Sequence, residues 1–329
     1  MADTTGQNPG HPGITWADFL SALVDHHDTL TAVAWRLVEH ADGDDVASVE
    51  RALRRLRTRG QKDGGVWGQR LLRVFGVPAS IEQRVRWMGV YHSPFNDLPV
   101  ALCLDQLRLW DRPPVSESRA RVWVQLGHVT HALRSGDIAQ ATLHARRVRD
   151  TLGALPADYD AARIEHALVE GFIASHDGSG NPAVDAALDR AERLLAAATL
   201  ADEDRDCFRA RLVDQRAYQK NRAGDHATAL ALYESLPAID RHPFASYRRD
   251  AGLAYGYHKL GRTQEATAIA HRACEHAGDG GYTRLRVMGL LMLAWIQGAD
   301  GEPARARARA IATRLGDDQL LRRVDRGKS

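Results

Sequence analysis

The sequence predicts an all-α protein made largely of stacked helix pairs, and three observations lead there. Apolar residues recur at three- and four-residue spacing almost throughout, with alternation fit for a strand only in a short piece near Val66–Leu72. Turns carrying a glycine, each followed by alanines on one helical face, return through the C-terminal two thirds of the chain. With 44% hydrophobic residues over 329 positions, the chain can bury the core of two units or of one extended array. A formal net charge of +2 argues against a uniformly basic or acidic protein. Cys103, Cys207 and Cys274 are odd in number and far apart, which fits a reducing compartment better than a disulfide framework. With no bilayer-length apolar run and no secretory pattern, a cytoplasmic protein without membrane contact is expected.

Residues 1–13, rich in Gly, Pro and Thr, read as a disordered tail. Residues 14–112 form an N-terminal helical domain with helices near Trp16–His26, Leu30–His40, Val46–Arg59, Ile81–Val90 and Pro99–Trp110. Thr15 and Asp45 are the expected N-caps, and Pro113-Pro114 closes the domain as a hinge. Within it, residues 1–45 hold eight acidic side chains against Arg36 alone, while residues 46–75 hold eight basic ones against Glu50 and Asp63. Val46, Val49, Leu53 and Leu56 share one face of the third helix, with Arg51, Arg54 and Arg55 opposite. The segment 87–112 gathers Trp87, Tyr91, Phe95 and Trp110 beside His92 and Asp97. It reads as a second small core in a bridging layer, with His92 and Asp97 pinning the Ser93-Pro94 turn.

From Ser116 to about residue 316 the chain repeats. Gly136, Gly224, Gly261 and Gly301 each open a small-residue helix: Ala141 and Ala145; Ala229; Ala266, Ala270 and Ala273; Ala306 and Ala310. Gly224 to Gly261 is 37 residues, Gly261 to Gly301 is 40, and Gly136 to Gly224 is 88, two units of 44 with the missing turn near His176–Pro182. Leu253-Ala254, Tyr257, Gly261, Ala266, Ala270 and Ala273 resemble one tetratricopeptide repeat. Leu293-Ala294 with Gly301, and Gly224-Asp225 with Ala229, Tyr233 and Pro237, are similar. The resemblance implies about five antiparallel helix pairs stacked in a right-handed superhelix, because one pair cannot bury its apolar face alone. Residues 317–329 follow as a basic tail.

The basic third helix followed by Gly60-Gln61-Lys62-Asp63-Gly64-Gly65 and Val66-Trp67-Gly68-Gln69-Arg70 resembles a winged helix-turn-helix. That resemblance implies double-stranded DNA as a partner, with Arg51, Arg54 and Arg55 in the major groove and Lys62 and Arg70 on a hairpin wing against phosphates. The opposing reading is a solvated Arg face paired with the acidic stretch before it.

A phosphate-cradling glycine loop, a dinucleotide fingerprint, Cys-x-x-Cys, His-Glu-x-x-His and a nucleophile elbow do not occur in the sequence. His128, His131 and His144 have spacing that a metal would accept, but a surface or carboxylate-paired role is expected of them, and His26-His27 reads as a polar helix end. The expectation is therefore a non-enzyme without cofactor or metal. The repeat resemblance places Arg211, Tyr218, Asn221, Arg222, Arg248, Tyr255, His258, Lys259 and Trp295 on a concave wall, an aromatic ladder edged by cations that suits an acidic peptide or a free C-terminus. The expected function is a peptide- or protein-binding regulator controlling an attached DNA-binding unit; the alternative is an interaction adaptor without nucleic acid.

Overall fold

The computed structural model describes residues 13–40, 44–59, 64–156, 159–176, 181–238 and 241–326. Among them are seventeen α-helices, three short 3-10 turns and no strand. No described helix is long and apolar enough to cross a membrane. The chain divides into two compact units, one of residues through 87 together with 105–124, the other of 88–104 together with 125 onward. The division does not fall at Pro113-Pro114, which lies inside the first unit. There the backbone folds back on itself, with Ser116 N donating to Arg112 O at 3.0 Å and Ser118 N to Val115 O at 3.0 Å, and Val115 is buried.

In the first unit α1 (Trp16–His27) starts on a capping box, Thr15 accepting from Asp18 N while Asp18 accepts from Thr15 N. Next, α2 (Leu30–Glu39) is capped by Thr29, and α3 (Val46–Arg59) by Asp45, whose carboxylate accepts from Ser48 N at 3.1 Å. The three pack on one another through Phe19, Leu20, Leu23, Val33, Leu37, Val49, Leu53 and Leu56, all buried. The expected extended piece at Val66–Leu72 is instead part of α4 (Gly65–Phe75), so no hairpin wing forms there. The reason is packing against Trp16: a Cβ on Gly64 or Gly68 would lie 2.4 or 2.6 Å from its ring. These glycines admit an indole rather than turn a hairpin. Further helices are α5 (Ala79–Gly89) and α6 (Val100–Trp110).

The repeating region consists of five consecutive helix pairs: α7 (Arg121–Ser135) with α8 (Ile138–Gly153), α9 (Asp160–Ala174) with α10 (Asn181–Ala197), α11 (Asp202–Arg222) with α12 (His226–Glu234), α13 (Pro243–Lys259) with α14 (Thr263–Asp279), and α15 (Thr283–Gln297) with α16 (Glu302–Leu315). From α9 onward each first helix packs on its own second helix, on the second helix before it and on the next first helix, the adjacency of a stacked array. Each junction has its own apolar cluster: Leu168, Leu188 and Phe208; Ala229, Tyr233 and Leu253; Ala266, Ala270 and Leu293; Val287, Ala308 and Ala312. Gly136, Gly224 and Gly261 sit at φ of 78°, 80° and 79°, where any side chain would be strained. Each makes the same cap, the next residue's N–H reaching back five residues: Asp137 N to Ala132 O, Asp225 N to Lys220 O, Arg262 N to Tyr257 O. Asp137 and Asp225 then cap the following helix through Gln140 N and Thr228 N.

The last turn departs. Gly301 belongs to a 3-10 turn, Gly298–Gly301, and packs on the backbone of Ala294, where a Cβ would lie 2.4 Å from the carbonyl oxygen. That inserted turn shifts the register of α16, so Ala308 and Ala312 are buried while Ala306 and Ala310 face solvent, two residues from the expected pair. The segment expected as a basic tail carries α17 (Asp318–Arg326) instead, with Leu320 and Val324 buried against α15 and α16. Lys62, the turn residues 177–180 and positions 1–12 and 327–329 lie outside the described residues.

Candidate partner-binding groove

The first helices α9, α11, α13 and α15 carry side chains on one face at two levels, seven residues and so about two turns apart. The lower level holds Glu165, Arg211, Arg248 and Arg284; the upper holds Phe172, Tyr218, Tyr255 and, one turn beyond Leu291, Trp295. Spacing makes the two levels look alike, but the chain treats them differently.

At the lower level the protein's own residues 90–98 lie across the helices. Arg211 donates to Glu165 Oε2 at 2.6 Å with both side chains buried, and that same oxygen accepts from Tyr91 N at 3.3 Å. The Arg211 guanidinium also lies 4.6 Å from the Tyr91 ring centroid. Arg248 donates to Asp214 at 2.9 Å and to the Tyr91 hydroxyl at 3.0 Å, while Tyr233 donates to Asp214 at 2.8 Å. His92 faces Asp204 at 3.3 Å between the rings of Phe208 and Phe244, and Tyr282 donates to its carbonyl at 2.8 Å. Arg134, from α7, donates to the carbonyls of Asn96 and Leu98 at 2.9 and 2.7 Å, and with Arg284 clamps Asp317 at 2.9 and 3.0 Å. Arg284 N donates to Asp97.

Electrostatics follow from this enclosure. Burial holds His92 below the ordinary imidazole range, outweighing its hydrogen bond to Asp204. Burial pushes Asp97 up to about 6, against the Arg284 N–H and the charges of Arg284 and Arg134. His92 thus pairs with Asp204 rather than pinning Asp97, and the segment expected as a separate aromatic core is threaded onto the array through residues 90–98. Arg211 and Arg248, expected to edge an open wall, are committed to the buried Glu165 and the half-buried Asp214, and to Tyr91.

The upper level is open. His176 stacks on Phe172 at 4.4 Å and on Tyr218 at 6.1 Å, and Arg222 lies 5.9 Å over Tyr218. Asn221 and His226 hydrogen-bond at 2.8 Å, and the His226 ring meets Tyr255 edge-on at 6.3 Å. Tyr255 stacks on Trp295 at 5.5 Å, His258 abuts Trp295 at 4.1 Å, and Lys259 Nζ lies 5.0 Å above the indole. Tyr218 and Trp295 are 44% and 41% exposed, while Phe172 and Tyr255 are half-buried beside their stacking partners. Of the expected residues, Tyr218 and Arg222 form one group, and Asn221, Tyr255, His258, Lys259 and Trp295, joined through His226, form the next. Phe172 and His176 extend the first group and were missed; Phe172, seven residues after Glu165, was their available signal.

In the first unit Arg51 donates to Ser48 Oγ at 2.9 Å, Arg54 to Glu50, and Arg55 is exposed. Arg70 is held by Asp44 at 2.6 Å and stacks 4.6 Å from Trp67. His128 and His144 stack at 5.2 Å, and among the described residues no group of three or more His, Cys, Asp and Glu side chains is placed to hold a metal. No family model and no curated protein matches the sequence.

Proposed function

We propose that this protein is a binding protein of tetratricopeptide-like build whose upper aromatic row takes an extended peptide bearing acidic groups. The observation that carries this reading is a pair of aromatic groups on successive first helices, Phe172–His176–Tyr218 and His226–Tyr255–Trp295, with Tyr218 and Trp295 exposed and Arg222 and Lys259 beside them. Aromatic faces hold apolar side chains and extended backbone, and the two cations supply the preference for carboxylates. Adjacent packed helices lie about 8–10 Å apart, so four first helices span roughly 24–30 Å, or about eight extended residues. Selection from a random peptide display library on the full chain tests this. Enriched peptides should carry Asp or Glu beside apolar residues and lose at least about tenfold in affinity with Trp295→Ala or Tyr255→Ala. Selected peptides indifferent to both substitutions would count against the row.

For the first unit we propose contact with duplex DNA through α3. Its support is the split of that helix into buried Val49, Leu53 and Leu56 and solvent-facing Arg51, Arg54 and Arg55. Phosphate contacts release counterions, so affinity should fall steeply with salt, and reversal of the three arginines to Glu should abolish binding. The adaptor reading without nucleic acid is favoured by Arg54 and Arg70 being spent on Glu50 and Asp44; no duplex binding at low salt would select it, and duplex binding retained by the triple reversal would remove α3 as the contact.

A further inference from the structure

The first unit contains a hollow of about 660 Å³ whose wall brings together His26 and His27 from the last turn of α1, Arg36 from α2 with His40 at its end, and Phe75 from α4. Its apolar floor includes Leu23 and Val77, both buried, and among the described lining residues Asp25 is the one carboxylate. The volume lies within the range of small-molecule sites. We propose that this hollow is a site for a small aromatic anion, an aryl carboxylate in size and charge, taken up together with a proton.

Three features support the ligand's chemistry. His27 and Phe75 hold their rings 5.1 Å apart at 57°, and with Leu23 and Val77 they offer apolar surface for a third ring. Positive charge comes from Arg36, which also lies 3.6 Å from Glu39 on its own helix, and, when protonated, from three imidazoles, against Asp25 among the described wall residues. The His40 Nδ1 donates to the Arg36 carbonyl at 2.8 Å, so its Nε2 is the atom left to carry a second proton and donate to an anion.

The proton follows from the surroundings of His27. Burial, then the neighbouring His26, then Arg36 hold its imidazole below the ordinary range, with Asp28 the one opposing charge. Other groups on the packed elements are Asp25 on α1 and His40 on α2. An anion entering the hollow offsets the repulsion from His26 and Arg36, so His27 binds its proton more tightly in the complex. By reciprocity, affinity for the anion rises as pH falls toward the depressed free-state value, by at most about tenfold per pH unit for each proton taken up.

Calorimetric titration of the full chain with benzoate, whose charge is constant above about pH 6, tests the proposal. The expected result is 1:1 saturation at least about threefold tighter near pH 6 than near pH 8. Inorganic sulfate and benzyl alcohol should bind more weakly, since each lacks one half of the recognised chemistry. Arg36 and His40 are exposed, so Arg36→Gln and His40→Gln leave folding intact and should together weaken benzoate at least about tenfold. Failure to saturate, equal affinity at both pH values, sulfate or benzyl alcohol binding as tightly as benzoate, or unchanged affinity in the double variant would each overturn it. The proposal is independent of the aromatic row and of DNA contact by α3.

Discussion

Seven residues separate Arg211 from Tyr218 and Arg248 from Tyr255, on the same face of the same two helices, and the two levels have opposite fates. The lower is closed by residues 90–98 and filled with paired charge; the upper stays in water. The difference teaches that a repeat face is not a groove throughout its width. Where the chain supplies its own occupant, arginines spaced for a ligand become internal struts.

The largest expected effect is at the closed level. Arg211→Ala leaves the buried Glu165 carboxyl without its cation, and should cost about 3–5 kcal/mol in denaturant unfolding. At the open level, Tyr218→Ala should change stability by no more than about 0.5 kcal/mol. Equal losses at both sites would erase the distinction.

A smaller effect is expected from pH. Asp97 has a folded-state value of about 6, raised above that of an unfolded carboxyl. The folded state therefore holds a proton that the unfolded state releases between the two values, so stability from this group grows as pH falls through about 6 and is absent above it. Wild type should gain about 1 kcal/mol relative to Asp97→Asn between about pH 7.5 and pH 5. A pH-independent difference would show that residues 90–98 do not enclose this carboxyl.

The smallest effect is expected on the exposed face of α3, where Arg54→Ala should change stability by less than about 0.5 kcal/mol. Its pair with Glu50 is a solvent-facing i,i+4 contact, unlike Arg211 and Glu165.

Much of the fold was legible because local chemistry decides it. Gly136, Gly224 and Gly261 announce caps that any stacked pair needs, and Thr15 and Asp45 announce helix starts. Gly64 and Gly68 misled, because glycine that admits Trp16 and glycine that turns a hairpin are identical in a sequence. Ala306 and Ala310 misled because one inserted turn rotates α16 without disturbing its composition. Of the candidate site, the aromatics were visible through the repeat resemblance, which sets Tyr218, Tyr255 and Trp295 on the first helices of successive pairs. The burial of Arg211 and Arg248 was not, since it depends on Tyr91 and His92 arriving from more than a hundred residues away in the chain.

The most direct test is hydrogen exchange on the full chain with and without a display-selected peptide. Added protection should fall on the C-terminal turns of α9, α11, α13 and α15, around Phe172, Tyr218, Tyr255 and Trp295, while residues 90–98 keep their exchange rates. Protection elsewhere, or faster exchange at Tyr91–Asp97 as the peptide takes that segment's place, would contradict the account.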